Sequence, residues 1–152
     1  MSNWTTITEP DLKDAKLADL VEAYKTAALG DGQADPIPNV IANVVARIRA
    51  EIKGCAKNIL DLDTGKIPTD LKSLAARMVC RELQSRLRLP LKDDERDERR
   101  SDERYLERIA KCEVPVAVPD NPETTATTQA STVRPATSTP ARKFSITEQE
   151  GL

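Results

Sequence analysis

Residues 38–52 read Pro38-Asn39-Val40-Ile41-Ala42-Asn43-Val44-Val45-Ala46-Arg47-Ile48-Arg49-Ala50-Glu51-Ile52, and they decide the fold class. Val40, Ile41, Val44, Val45, Ile48 and Ile52 recur at three- and four-residue spacing, so a helix gathers them on one face. Pro38 suits the first turn of that helix, because the amide hydrogen it lacks would be unpaired there anyway. Gly54 marks its end. Downstream, residues 58–66 contain Asp61, Asp63 and Gly65 in a spacing superficially like a calcium loop. The match fails, because Gly65 stands at the fifth loop position, where an oxygen ligand is needed, and Lys72 stands where the closing Glu belongs. A plain turn is expected there.

Pro68 and Thr69 open a third helix that runs to about Leu89, where Pro90 stops it. Steps of about 100° per residue place Leu71, Leu74, Ala75, Met78 and Val79 on a core face, with Leu83 and Leu87 continuing a wide, drifting apolar arc. Such a helix is expected to touch more than one neighbour. Glu82 and Arg86 fall within the arc, as a pair that snorkels at the core edge or is partly buried at a subunit boundary. On the opposite side Arg77, Arg81, Gln84 and Arg88 form a basic stripe. A solvated face accounts for it most simply; an acidic partner or a nucleic-acid backbone is the other reading.

The fourth segment, residues 92–111, carries eight acidic and seven basic side chains. Pairs such as Asp93 with Arg96, Glu95 with Arg99 and Glu107 with Lys111 support a helix, each by about 0.2–0.5 kcal/mol. Its first three turns lack large apolar residues, so only Tyr105, Leu106, Ile109 and Cys112 at its end are expected to dock. Upstream, a first helix is expected to begin after Thr8, with Pro10 in its first turn and Asp11 three residues after the cap. Leu17, Leu20, Val21, Tyr24 and Ala28 form its apolar stripe, and Gly30-Asp31-Gly32 ends it. Alternation of the kind strands need is absent from the first 118 residues. The expected architecture is therefore all-α: a small bundle of about four helices with an extended, low-complexity C-terminal tail.

That tail begins at Pro119. Between residues 119 and 142, 17 of 24 residues are Thr, Ser, Pro or Ala, and Val133 is the only large aliphatic side chain. Alone, this stretch cannot offset its ordering entropy by burial. Lys143-Phe144-Ser145-Ile146-Thr147 differs again, alternating polar and apolar residues and holding the chain's only Phe. Residues 1–118 thus read as a helical domain, 119–142 as a tether and 143–152 as a docking peptide, whose Phe144 and Ile146 would fill a partner's pockets.

The 152 residues include 23 Lys and Arg, 25 Asp and Glu, and no histidine. Without histidine there is no Ser-His or Cys-His pair and no imidazole metal ligand. No phosphate-binding glycine loop or nucleophile elbow is present either, so neither an enzyme nor a cofactor is expected. A net charge of −2 argues against wholesale coating of nucleic acid. Cys55, Cys80 and Cys112 lie 25 and 32 residues apart and are expected to be three reduced, partly buried thiols. No apolar run approaches the roughly 20 residues of a membrane span, and the first residues lack the pattern of a secretory signal. A soluble protein made in a reducing cytoplasm is the expectation.

The order of elements resembles the small phage head-to-tail adaptor proteins, including the head completion or connector family of Mu-like prophages. The resemblance rests on Pro68, Leu71, Leu74, Ala75, Met78 and Val79 in the third helix and on Tyr105-Leu106-Glu107-Arg108-Ile109-Ala110 in the fourth, with Val114 after it. Cys112 stands where that family commonly has glycine, and Leu89-Pro90-Leu91 follows the third helix rather than the second. The resemblance implies a structural protein of the virion neck, present in the host cytoplasm during assembly. It implies a twelve-fold homo-oligomeric ring between the portal and the next neck or tail component, with genome DNA passing through unread. On that reading Arg77, Arg81, Glu82, Arg86, Arg88, Glu95, Arg96, Arg99, Arg100 and Arg104 face neighbouring subunits. Arg142, Lys143, Phe144 and Ile146 dock on the portal. Two alternatives remain: a DNA-binding packaging or regulatory module that uses Arg77, Arg81 and Arg88, and a helical scaffold that captures a partner helix or peptide.

Overall fold

A computed structural model describes residues 2–12, 15–28 and 35–123. Among them are four α-helices, α1 (Ala15–Ala28), α2 (Ile37–Gly54), α3 (Lys72–Arg86) and α4 (Asp93–Ala110). Two short strands, β1 (Trp4–Thr6) and β2 (Lys66–Pro68), pair antiparallel with Thr5 opposite Ile67. The all-α expectation holds for the body, and the small sheet is an addition to it. Strands of three residues are too short to show alternation, and Pro68 is tolerated because a two-stranded sheet consists only of edges.

α2 is the centre of the core, as its periodicity requires. Val40, Val44, Val45, Ile48 and Ile52 are buried, and they meet Leu74, Ala75, Val79 and Leu83 of α3 and Leu106 and Ile109 of α4. Arg47 reaches Glu103 at 4.0 Å, and a Cβ built on Gly54 would lie 3.1 Å from that of Ala110. These contacts, seven residues apart on each helix, make α2 and α4 run side by side in the same direction. Glycine at 54 is what permits the close approach. α3 packs against α2 and is joined to α4 by side-chain ion pairs, and α1 lies along α3 with Val21 buried and Tyr24 half-buried. The Gly30-Asp31-Gly32 stop and the side chains of Leu17 and Ala28 lie outside the described residues.

Helix ends differ from expectation in instructive ways. Before α1 the chain makes a 3-10 turn, Glu9–Leu12, in which Asp11 Oδ2 accepts from both the amide and the hydroxyl of Thr8. α2 begins as expected, with the Ile37 amide donating to Asp35 Oδ1 at 3.0 Å. α3 starts after a second 3-10 turn, Thr69–Leu71, and stops before Leu89. Its end is a Schellman cap: Leu89 N–H donates to Gln84 O, Arg88 N–H to Ser85 O, and Arg88 takes a φ of 57°. α4 ends the same way, through Glu113 N–H to Arg108 O and Cys112 N–H to Ile109 O, with Cys112 at a φ of 62°. That left-handed position favours glycine, the residue Cys112 replaces in the adaptor pattern.

Cys112 also overturns the expectation of three thiols, because it is bonded to Cys55 across a Cα–Cα distance of 5.2 Å. The two cysteines follow the adjacent C-terminal ends of α2 and α4, a proximity that sequence spacing alone does not reveal. Cys80 stands outside this bond.

Candidate functional site

The candidate interface residues lie on α3, α4 and the turn between them, and the structure sorts them into three groups. The first is a polar seam where α3 and α4 pack antiparallel. Asp102 is 5 % exposed and accepts from Arg77 Nη2 at 2.6 Å and Arg81 Nη2 at 2.7 Å. Arg77 Nε also lies 3.4 Å from Glu98. Burial works against the charge on Asp102, but the two guanidinium groups outweigh it and hold the carboxyl below the ordinary Asp range. The hydrogen bond to Asp102 in turn raises Arg77. One turn further on, Gln84 Nε2 donates to Glu95 Oε1 at 3.3 Å, while Glu95 Oε2 accepts the Lys92 backbone amide at 2.9 Å and so fixes the start of α4. The expected solvated stripe is therefore partly an internal seam: Arg81 and Gln84 are turned into it, and only Arg88 at its end is exposed. Glu95 serves the helix start, and Arg99 pairs with Glu103.

The second group lines a cleft of about 610 Å³ between α2, α3, α4 and the 88–91 turn. Arg81, Glu82, Arg88 and Arg99 converge there, together with Arg47, Glu103 and the apolar Leu89, Pro90 and Leu91. Glu82 holds Arg86 Nε at 3.0 Å, and Arg86 Nη1 reaches the Tyr24 hydroxyl at 3.1 Å, tying α3 to α1. Both side chains are more than a third exposed, so the pair sits at the core edge and not within it.

The third group is the outer face of α4. Arg96, Arg99, Arg100 and Arg104 are exposed there. Arg96 pairs with Asp93, Arg100 with Asp97 and Arg99 with Glu103, each within one turn of its own helix. Exposed pairs of this kind stabilise the helix weakly and leave their charges open to another molecule. Arg142, Lys143, Phe144 and Ile146 lie outside the described residues.

A further fastening was not anticipated. Arg49 is 9 % exposed; its Nη1 donates to Asp63 O and Lys66 O, its Nη2 donates to Asp61 O, and its guanidinium lies 5.7 Å from the Trp4 ring centroid. It organises the 61–66 turn, in which Asp61 Oδ1 accepts Asp63 N–H and Asp63 Oδ1 accepts Gly65 N–H. A signal for it was present, since Arg49 lies four residues after Val45 and three before Ile52, on the apolar face of its helix. Residues 119–123, which the composition assigns to the tether, run against this same region. Asp120 accepts from Ser2 and Asn3, Trp4 Nε1 donates to Ala117 O, and Pro122 bridges Asp61.

Among the described residues no helix is long and apolar enough to cross a membrane. No curated protein and no solved structure matches the chain. A family model described as bacteriophage Mu, Gp36 does match, over residues 7–135. That span takes in all four helices, the polar seam and the cleft, as well as the turn held by Arg49. The chain belongs to the bacteriophage Mu Gp36 family.

Proposed function

We propose that this Mu-family phage protein is a structural component of the virion neck, forming a ring between the portal and the tail components through which the genome passes. The observation that carries the reading is the family match across the whole helical body. The form of the surface supports it. In a cyclic ring each contact joins two different faces of the subunit, so complementary charged faces fix the register. The mixed-charge outer side of α4 and the Arg-lined cleft beside it are two such faces. The docking peptide at residues 143–152 attaches the ring to the portal, and many copies acting together make a weak contact hold.

The DNA-binding alternative has less support, because Asp102 already engages two of the three arginines it requires. Antibody decoration of purified particles tests the proposal. Label at the head–tail junction is expected; label along the tail, or none on intact or disrupted particles, overturns it. Deleting residues 142–152 is expected to leave the body folded and the neck unattached, whereas normal neck assembly after that deletion removes the docking role.

A further inference from the structure

A second groove, of about 500 Å³, lies between the N-terminal segment and the outer side of α2. Ile7, Ile41, Ala42, Val45 and Ala46 line it, Thr64 and Gly65 of the Arg49-held turn form its rim, and among the described residues Glu9 is the one charged member of its lining. Ala42 and Ala46 are exposed and Ile41 is only half-buried, so this side of α2 is apolar without being covered by the described residues. The described chain ends beside it. Glu123 N–H donates to Leu60 O at 2.7 Å, and Leu60 lies four residues before Thr64, a path of at most about 14 Å.

About 20 residues follow before Phe144, enough to span roughly 70 Å when extended and to average about 25 Å end to end when flexible. The segment they carry matches the groove in two respects. In an extended peptide Phe144 and Ile146 point to the same side, which suits an apolar floor. Arg142 and Lys143 precede them, which suits a rim where Glu9 shares the Lys25 ammonium with Asp35, leaving two carboxylates to one cation.

We propose that in the free protein residues 142–147 occupy this groove on their own chain. A tether of this length holds the peptide at a local concentration in the millimolar range, so a contact too weak to persist between separate molecules closes within one. The latch covers the apolar side of α2 and withholds the peptide until a stronger partner takes it. It does not depend on that partner being a portal.

Amide hydrogen exchange on the full chain tests the latch. Exchange across residues 144–147 is expected to be slowed on the order of tenfold, equally at about 1 µM and 100 µM protein, for a contact ten times tighter than the local concentration requires. The doubly substituted Phe144→Asp, Ile146→Asp chain abolishes the slowing. So does Ala46→Arg, whose exposed position leaves the core intact, with Ala42→Arg as a second groove variant; an unchanged cooperative melt verifies both folds. Free exchange at residues 144–147 in the unaltered chain overturns the proposal, as does slowing that survives both groove variants. Slowing that appears only at the higher concentration assigns the peptide to a second copy and overturns the own-chain latch.

Discussion

Arg49 lies within α2 and Arg88 just past the end of α3, and their environments give them opposite consequences for stability. Arg49 satisfies three carbonyls of the 61–66 turn from a buried position beside Trp4. Replacing it with Met keeps the packed stem but leaves those carbonyls without donors, and should cost about 2–4 kcal/mol, read from urea unfolding. Arg88 is exposed and makes its contribution through a left-handed backbone that its side chain disfavours. Arg88→Gly should stabilise the protein by up to about 1 kcal/mol, since relief of the left-handed strain exceeds the entropy that glycine adds to the unfolded chain. The same midpoint measurement decides it. Neither role was legible from residue type. The position of Arg49 on an apolar face was visible, but its acceptors are backbone atoms brought up by a turn and cannot be read from side chains.

At the scale of elements, the seam and the disulfide carry the predictions. Asp102→Asn leaves Arg77 and Arg81 without their shared carboxylate and should destabilise the fold by about 2–3 kcal/mol. The folded carboxyl lies below its ordinary value of 3.8, so its contribution is fully present above that pH and is lost as pH falls through the lower, folded value. Acid unfolding curves should therefore show a shallower loss of stability below about pH 4 in Asp102→Asn than in the unaltered chain. The Cys55–Cys112 bond closes a loop with a sequence separation of 57, for which chain entropy gives an upper figure of about 4 kcal/mol. Reducing agent, or Cys55→Ser with Cys112→Ser, should lower stability by about 2–4 kcal/mol, read from denaturation with and without reductant. The helices themselves were legible because a run such as 40–52 repeats its apolar residues over several turns. Their partners were not: Arg77 and Arg81 repeat at a spacing that fits a solvated stripe equally well. Only the antiparallel docking of α4 turns them toward Asp102. The strands escaped notice for want of length, and the disulfide because it joins the ends of two helices that are distant in sequence.

The whole molecule is a helical phage protein with mixed-charge outer faces, and its described chain ends at Glu123 beside residues 60–62. Residues 119–123, a few residues past the point where composition changes, are held against the body because Asp120 accepts from Ser2 and Asn3, just before β1, and Pro122 bridges Asp61. Family membership was legible in the order and apolar spacing of the helices, which is the same property that packs them. The finer role belongs to surfaces, and surface charge alone is compatible with several partners. The most direct test is an averaged image of the native assembly that contains this chain, taken from phage particles or lysates. The account predicts a closed ring coaxial with one capsid vertex, most simply of twelve copies, with the α4 faces of neighbours in contact. The chain found away from that vertex, or in an assembly that does not close into a ring, would contradict it.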